Sequence, residues 1–101
     1  MNRHIKLGLA ATLIGLLAGC GKDDIAPAQD TSPADIFVQA CRTCHGAQGS
    51  GKFGFLLKIA GTDESVEEIG AKIRDGGWIM PKFPNLSEDQ RQALAAYIKS
   101  L

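Results

Sequence analysis

The pentapeptide Cys41-Arg42-Thr43-Cys44-His45 constrains this chain more than any other stretch, because it gathers two of the three cysteines and one of the two histidines into a single turn. Cysteines at i and i+3 at a helix end project from one side, and the histidine that follows brings its imidazole to that side. Three chemistries use thiols at this spacing: a redox dithiol, half of a structural zinc site, and thioether attachment of a porphyrin whose iron takes the adjacent histidine. Each demands different surroundings, so the rest of the chain decides among them.

The front of the chain reads as an address. Arg3 and Lys6 precede an uncharged apolar run from Leu7 to Gly19, the charged and apolar regions of an export signal. That run is shorter than the ~20 residues a membrane span needs. It closes on Leu17-Ala18-Gly19-Cys20, which resembles the lipobox of bacterial lipoproteins. The resemblance implies that residues 1–19 are removed and that Cys20 carries the lipid. An ordinary secretory signal, or an uncleaved anchor with an incidental cysteine, is the alternative, and all three readings export the domain. Cleavage leaves nine basic residues against eleven acidic ones and takes away Met1 and His4. Residues 20–31 are polar, contain Pro27 and show no apolar period. They are expected to form a flexible tether, with a reach of roughly 5–6 Å times the root of the residue number.

With the signal gone, the alternatives for the motif thin out. A structural zinc site wants four cysteine or histidine ligands, but His45 is then the only histidine and Cys20 is lipidated or at the end of a tether. A thioredoxin-like dithiol sits at a helix start after a strand, whereas these cysteines end a helix with no strand before them. Attachment of one covalent c-type haem fits: Cys41 and Cys44 add to the porphyrin's two vinyl groups and His45 reaches the iron.

The folded domain is expected over 32–101. Ser32, Pro33 and Asp35 start a helix that runs into the motif with Ile36, Phe37, Ala40 and Cys41 at helical spacing. From Gly46 to Gly61 five glycines and no period predict a wrapping loop with its own apolar cluster at Phe53, Phe55, Leu56, Leu57 and Ile59. A second helix fits Val66 to Asp75, capped by Ser65 with Glu68 and ended by Gly76-Gly77. The last begins at Ser87 with Gln90 and carries the stripe Leu94, Tyr97, Ile98, Leu101. A domain of roughly 70 residues supplies no more than about 3–5 kcal/mol from its own core. A covalent haem in the middle makes up the difference and gives the long loop something to wrap.

Met80 is the only methionine left after cleavage, in Gly76-Gly77-Trp78-Ile79-Met80-Pro81-Lys82-Phe83-Pro84. Two glycines and two prolines there fix an extended loop suited to holding a thioether over the haem. Met80 is the expected second iron ligand; Lys82 or an open site is the alternative. Trp78 is expected to pack on the haem, with Phe37, Phe55, Leu94 and Tyr97 in the core.

The stretch from Phe37 to Leu101 resembles the small class I mono-haem c-type cytochromes of bacteria. The helix leading into Cys41-Arg42-Thr43-Cys44-His45-Gly46 carries the resemblance, with Met80-Pro81 followed by Phe83 and Pro84, and the closing helix through Tyr97. It implies an all-α small cytochrome c fold: three main helices around one covalent haem, with the first and last crossed. It implies an electron carrier, not an enzyme. One piece departs: many members have a proline soon after the motif whose carbonyl holds the histidine's second N–H, and Ser50-Gly51-Lys52-Phe53-Gly54-Phe55-Leu56 contains none.

With both axial positions filled, the chemistry is one-electron Fe(III)/Fe(II) cycling, and the soft thioether favours Fe(II). The expected partners are redox proteins (an oxidase, a reductase or other cytochromes), met by a monomer anchored in the membrane and facing the periplasm or the cell exterior. Lys52, Lys58 and Lys82 are candidates for the docking rim. Eleven basic residues balance eleven acidic ones, so no global charge argues for nucleic acid. If Met80 does not bind the iron, a gas- or redox-sensing module or weak peroxidase is the alternative.

Overall fold

The computed structural model describes residues 24–54 and 56–101. The signal peptide, Cys20 and Phe55 lie outside them. Four helices carry the fold: α1 (Pro33–Ala40), α2 (Arg42–His45), α3 (Val66–Asp75) and α4 (Glu88–Ser100). Among the described residues there is no strand, only an isolated antiparallel bridge between Lys52 and Leu56, and no helix is long and apolar enough to cross a membrane.

The caps form as the serines predict. Ser32 Oγ accepts from the Asp35 N–H at 3.2 Å, and Ser65 Oγ from Glu68 N–H at 3.1 Å. At α4 the bond is reciprocated: Ser87 Oγ takes the Gln90 N–H, and Gln90 Oε1 takes the Ser87 N–H. The helix expected to run unbroken into the motif is in fact two. Cys41, at φ −116° and ψ −31°, ends α1 and starts α2, so the motif occupies its own short turn, closed by His45 N–H on the Cys41 carbonyl at 2.9 Å.

Helix α3 packs along α4 with Gly70 facing Ala95, where a Cβ on Gly70 would meet the Ala95 methyl at an ordinary contact distance of 3.9 Å. Helix α1 meets α4 through Phe37 and Tyr97, edge to face with centroids 5.7 Å apart, a geometry that adds about 0.5–1.5 kcal/mol beyond area burial. Around these lie Ile36, Ile69, Ile73, Phe83, Leu86, Leu94 and Ile98, all buried.

Two expectations change. Of the apolar cluster expected in the wrapping loop, Phe55 lies outside the described residues; Ile59 packs against the core, while Phe53 is 90% exposed and Leu56 and Leu57 are exposed too. The tight turn bridging Lys52 and Leu56 has no neighbouring element to bury Phe53 against. Residues 24–31, expected within the tether, lie against the start of α4. Ile25 packs on the core, and Gln90 Nε2 donates to the carbonyls of Pro27 (3.2 Å) and Ala28 (2.9 Å). A buried amide needs those acceptors, and the segment supplies them.

Candidate haem site

Helix α2 supplies Cys44 and His45, its N-cap is Cys41, and the loop after α3 supplies Met80. Cys41 and Cys44 are buried at the inner end of the motif turn. Burial pushes the Cys41 thiol up to about 12, so it stays neutral at physiological pH.

His45 Nδ1 lies 2.6 Å from the Leu57 carbonyl. A carbonyl can only accept, so Nδ1 carries the proton and donates, which leaves the Nε2 lone pair for a metal. The proline carbonyl missing from this sequence is thus replaced by the backbone of Leu57. The loop is folded to present it. Leu57 sits at φ +58°, Gly51 N–H donates to the His45 carbonyl at 2.6 Å, and Gly46 takes φ +78° where a Cβ would collide with the Gly51 carbonyl oxygen. Sequence reasoning missed Leu57, because any residue's carbonyl can serve and only the backbone angle selects it.

Met80 is half-buried, packed against the core. Its carbonyl accepts from Gly77 N–H at 2.9 Å, closing the near end of its loop, and Phe83 N–H donates to Ile73 at 3.2 Å. Trp78 is fully exposed and Ile79 largely so on the same loop.

These groups converge. A cavity of about 370 Å³ is lined by Cys41, His45, Ile69, Ile73, Trp78 and Met80 among others, within the range of roughly 300–1,000 Å³ usual for small-molecule sites. An adjoining one of about 50 Å³ is lined by Ala40, Cys44, Leu57, Pro81 and Phe83. Cys41, His45, Ile79 and Met80 line both. A mostly apolar cleft with two sulfurs, an oriented imidazole and a thioether fits a haem: the apolar walls suit the macrocycle and the donors suit thioether links and iron. Among the described residues no group of three or more His, Cys, Asp or Glu side chains is placed to hold a metal ion by itself. At the rim Lys72 pairs with Glu64, while Lys52, Lys58 and Lys82 are exposed and form no ion pair among the described residues.

Comparison with known proteins finds relatives of this chain. The family model described as "Cytochrome C oxidase, cbb3-type, subunit III" matches residues 28–98. The chain is 37% identical over 87 residues to the "Cytochrome bc1 complex cytochrome c subunit" of Corynebacterium diphtheriae, covering 78% of this chain and 30% of that protein. It is 37% identical over 67 residues to "Cytochrome c-550" of Bacillus subtilis, covering 64% of this chain and 56% of the relative. The chain therefore spans between about a third and a little over half of these relatives. Among solved structures, the "KustC0563 c-type cytochrome" superposes with a TM-score of 0.59 at 25% identity, over 68% of this chain and 95% of that one.

Proposed function

The chain belongs to the cytochrome c family described as cytochrome c oxidase, cbb3-type, subunit III, and from that premise we propose that it carries single electrons between respiratory redox proteins while anchored to a membrane by a lipid on Cys20. Members of the family hold haem c covalently, and one haem suits a domain of this size. The bound haem supplies a one-electron Fe(III)/Fe(II) couple.

The chain's own residues do the rest. Cys41 and Cys44 fix the porphyrin edge against α2. His45 is the first iron ligand, its ring held by the Leu57 carbonyl, a bond that fixes tautomer and orientation and raises ligand basicity. Met80 is the second, its thioether raising the potential relative to a second imidazole. With both positions filled, no site is left for substrate, so the protein acts as a carrier rather than an enzyme. The exposed lysines at 52, 58 and 82 suit a small, quickly released interface below about 1,200 Å². An oxidase, a reductase or another cytochrome facing the periplasm or the cell exterior is the partner class.

The observation that carries this reading is the convergence of Cys41, His45 and Met80 on one apolar cavity with His45 Nδ1 committed to Leu57. A potentiometric titration of the haem-loaded protein tests it. A single reversible one-electron wave is expected, without turnover of peroxide. Peroxide consumption at enzymatic rates would overturn the carrier reading.

A further inference from the structure

Gln90 is the one polar side chain in the buried set of the described residues, and its amide is fully used. Oε1 accepts from Ser87 N–H at 3.0 Å, and Nε2 donates to the Pro27 and Ala28 carbonyls. Beside it Asn85 Nδ2 donates to the Asp24 carbonyl at 3.3 Å, and Ser87 Oγ to Gln29 Oε1 at 3.1 Å. Ile25 packs on the core from the same segment. The family match begins only at residue 28, so Asp24–Pro27 precede it and are nonetheless bound. Releasing the segment would leave two buried N–H groups without acceptors, which opposes release.

We propose that residues 24–29 are a fixed strap clasped by Gln90, which holds the end of the domain where α4 begins against the membrane and restricts the carrier to redox partners in that same bilayer. The membrane half of this rests on the lipid at Cys20. Four residue steps separate Cys20 from Asp24, at most about 14 Å of extended chain, whereas twelve steps to Ser32 would allow about 40 Å. A domain of this length has a radius of gyration of about 11 Å, hence a diameter of roughly 30 Å. The short leash is less than that diameter, so the domain cannot turn its α4 end away from the surface. A free tether from Cys20 to Ser32 would allow it to roll over and to lift off toward soluble partners. The clasp decides between these two regimes.

The test uses the haem-loaded, lipidated full chain on vesicles bearing a dansyl headgroup lipid, with the haem as quencher. A ten-residue Gly/Ser insertion between Asp23 and Asp24 lengthens the leash and is expected to reduce quenching severalfold. The same insertion between Asp30 and Thr31 lies beyond the clasp and should leave quenching at the wild-type level. Equal loss from both insertions would overturn the strap. Gln90→Glu keeps Oε1 as acceptor for Ser87 N–H, and so the cap of α4, but removes both donations. It should raise hydrogen exchange across 24–31 at least tenfold with an unchanged haem spectrum; unchanged exchange overturns the clasp. Wild-type protein that fails to bind vesicles would overturn the membrane half, and the exchange measurement would still judge the strap independently.

Discussion

A single backbone carbonyl decides what His45 can do. With Nδ1–H given to Leu57, only Nε2 remains for iron, and the ring cannot swing without breaking that bond. The same kind of scrutiny applies to Met80, on which the distinction between carrier and sensor turns. Reduced wild-type protein should be six-coordinate and low-spin and should resist carbon monoxide near neutral pH, because binding would have to break the sulfur–iron bond and move a loop fixed at Gly77 and Phe83. Met80→Ala should bind carbon monoxide readily and show a lower potential, yet keep its haem on a denaturing gel, since Cys41, Cys44 and His45 are untouched. Wild type that binds carbon monoxide as readily as the variant would make Met80 core filler and favour the sensing reading. At this scale the sequence singled out residues that the fold brings to one cavity, Cys41 and His45 by their spacing and Met80 by scarcity. It was silent on Leu57, whose contribution is a φ of +58° that no residue type announces.

Elements follow from their caps more reliably than from their interiors. Ser32, Ser65 and Ser87 mark three helix starts by bonds that need only a short side chain and a free N–H, and all three were readable in advance. The break at Cys41 was not, because one cysteine lowers helix propensity too little to announce a boundary; beyond it the loop closes back onto His45 through Gly51 N–H. That closure depends on Gly46 and Gly51, and it yields a comparison. Gly54→Ala, at φ +83° with open space around it, should cost about 1–2 kcal/mol from left-handed strain alone. Gly46→Ala carries the same strain and also drives a methyl into the Gly51 carbonyl, so it should cost more and displace the chain that presents Leu57. Denaturant midpoints of the two haem-loaded variants check this, and equal losses would show that the Gly46–Gly51 contact does not hold the loop. The wrapping loop shows where apolar composition misleads: a run of apolar residues predicts burial only if some element lies over it, and among the described residues none covers Phe53.

For the whole molecule the question is what stands at its centre and how it is held in place. Anchoring is tested simply: Cys20→Ser should release the domain from membranes, or leave it unprocessed, without altering the haem spectrum, and a wild type that is soluble and unlipidated would refute the anchor. The centre is harder, and the magnitudes decide it. The cavity between α2, α3 and the Met80 loop measures about 370 Å³ and is walled largely by apolar side chains, Ile59, Ile69, Ile73 and Ile98 among them, a surface that haem would cover and that water would otherwise meet. A core of this size supplies only about 3–5 kcal/mol, which leaves little to offset the exposure of that wall. Haem is accordingly expected to act as a structural member of the core as well as the redox group. Replacing both attachment residues, Cys41→Ala with Cys44→Ala, should abolish haem staining on the denatured band and, with it, the cooperative thermal transition followed by far-ultraviolet circular dichroism. A double variant that folds cooperatively without haem would show that the protein core suffices by itself, and the account of why so short a chain wraps so long a loop would have to be abandoned.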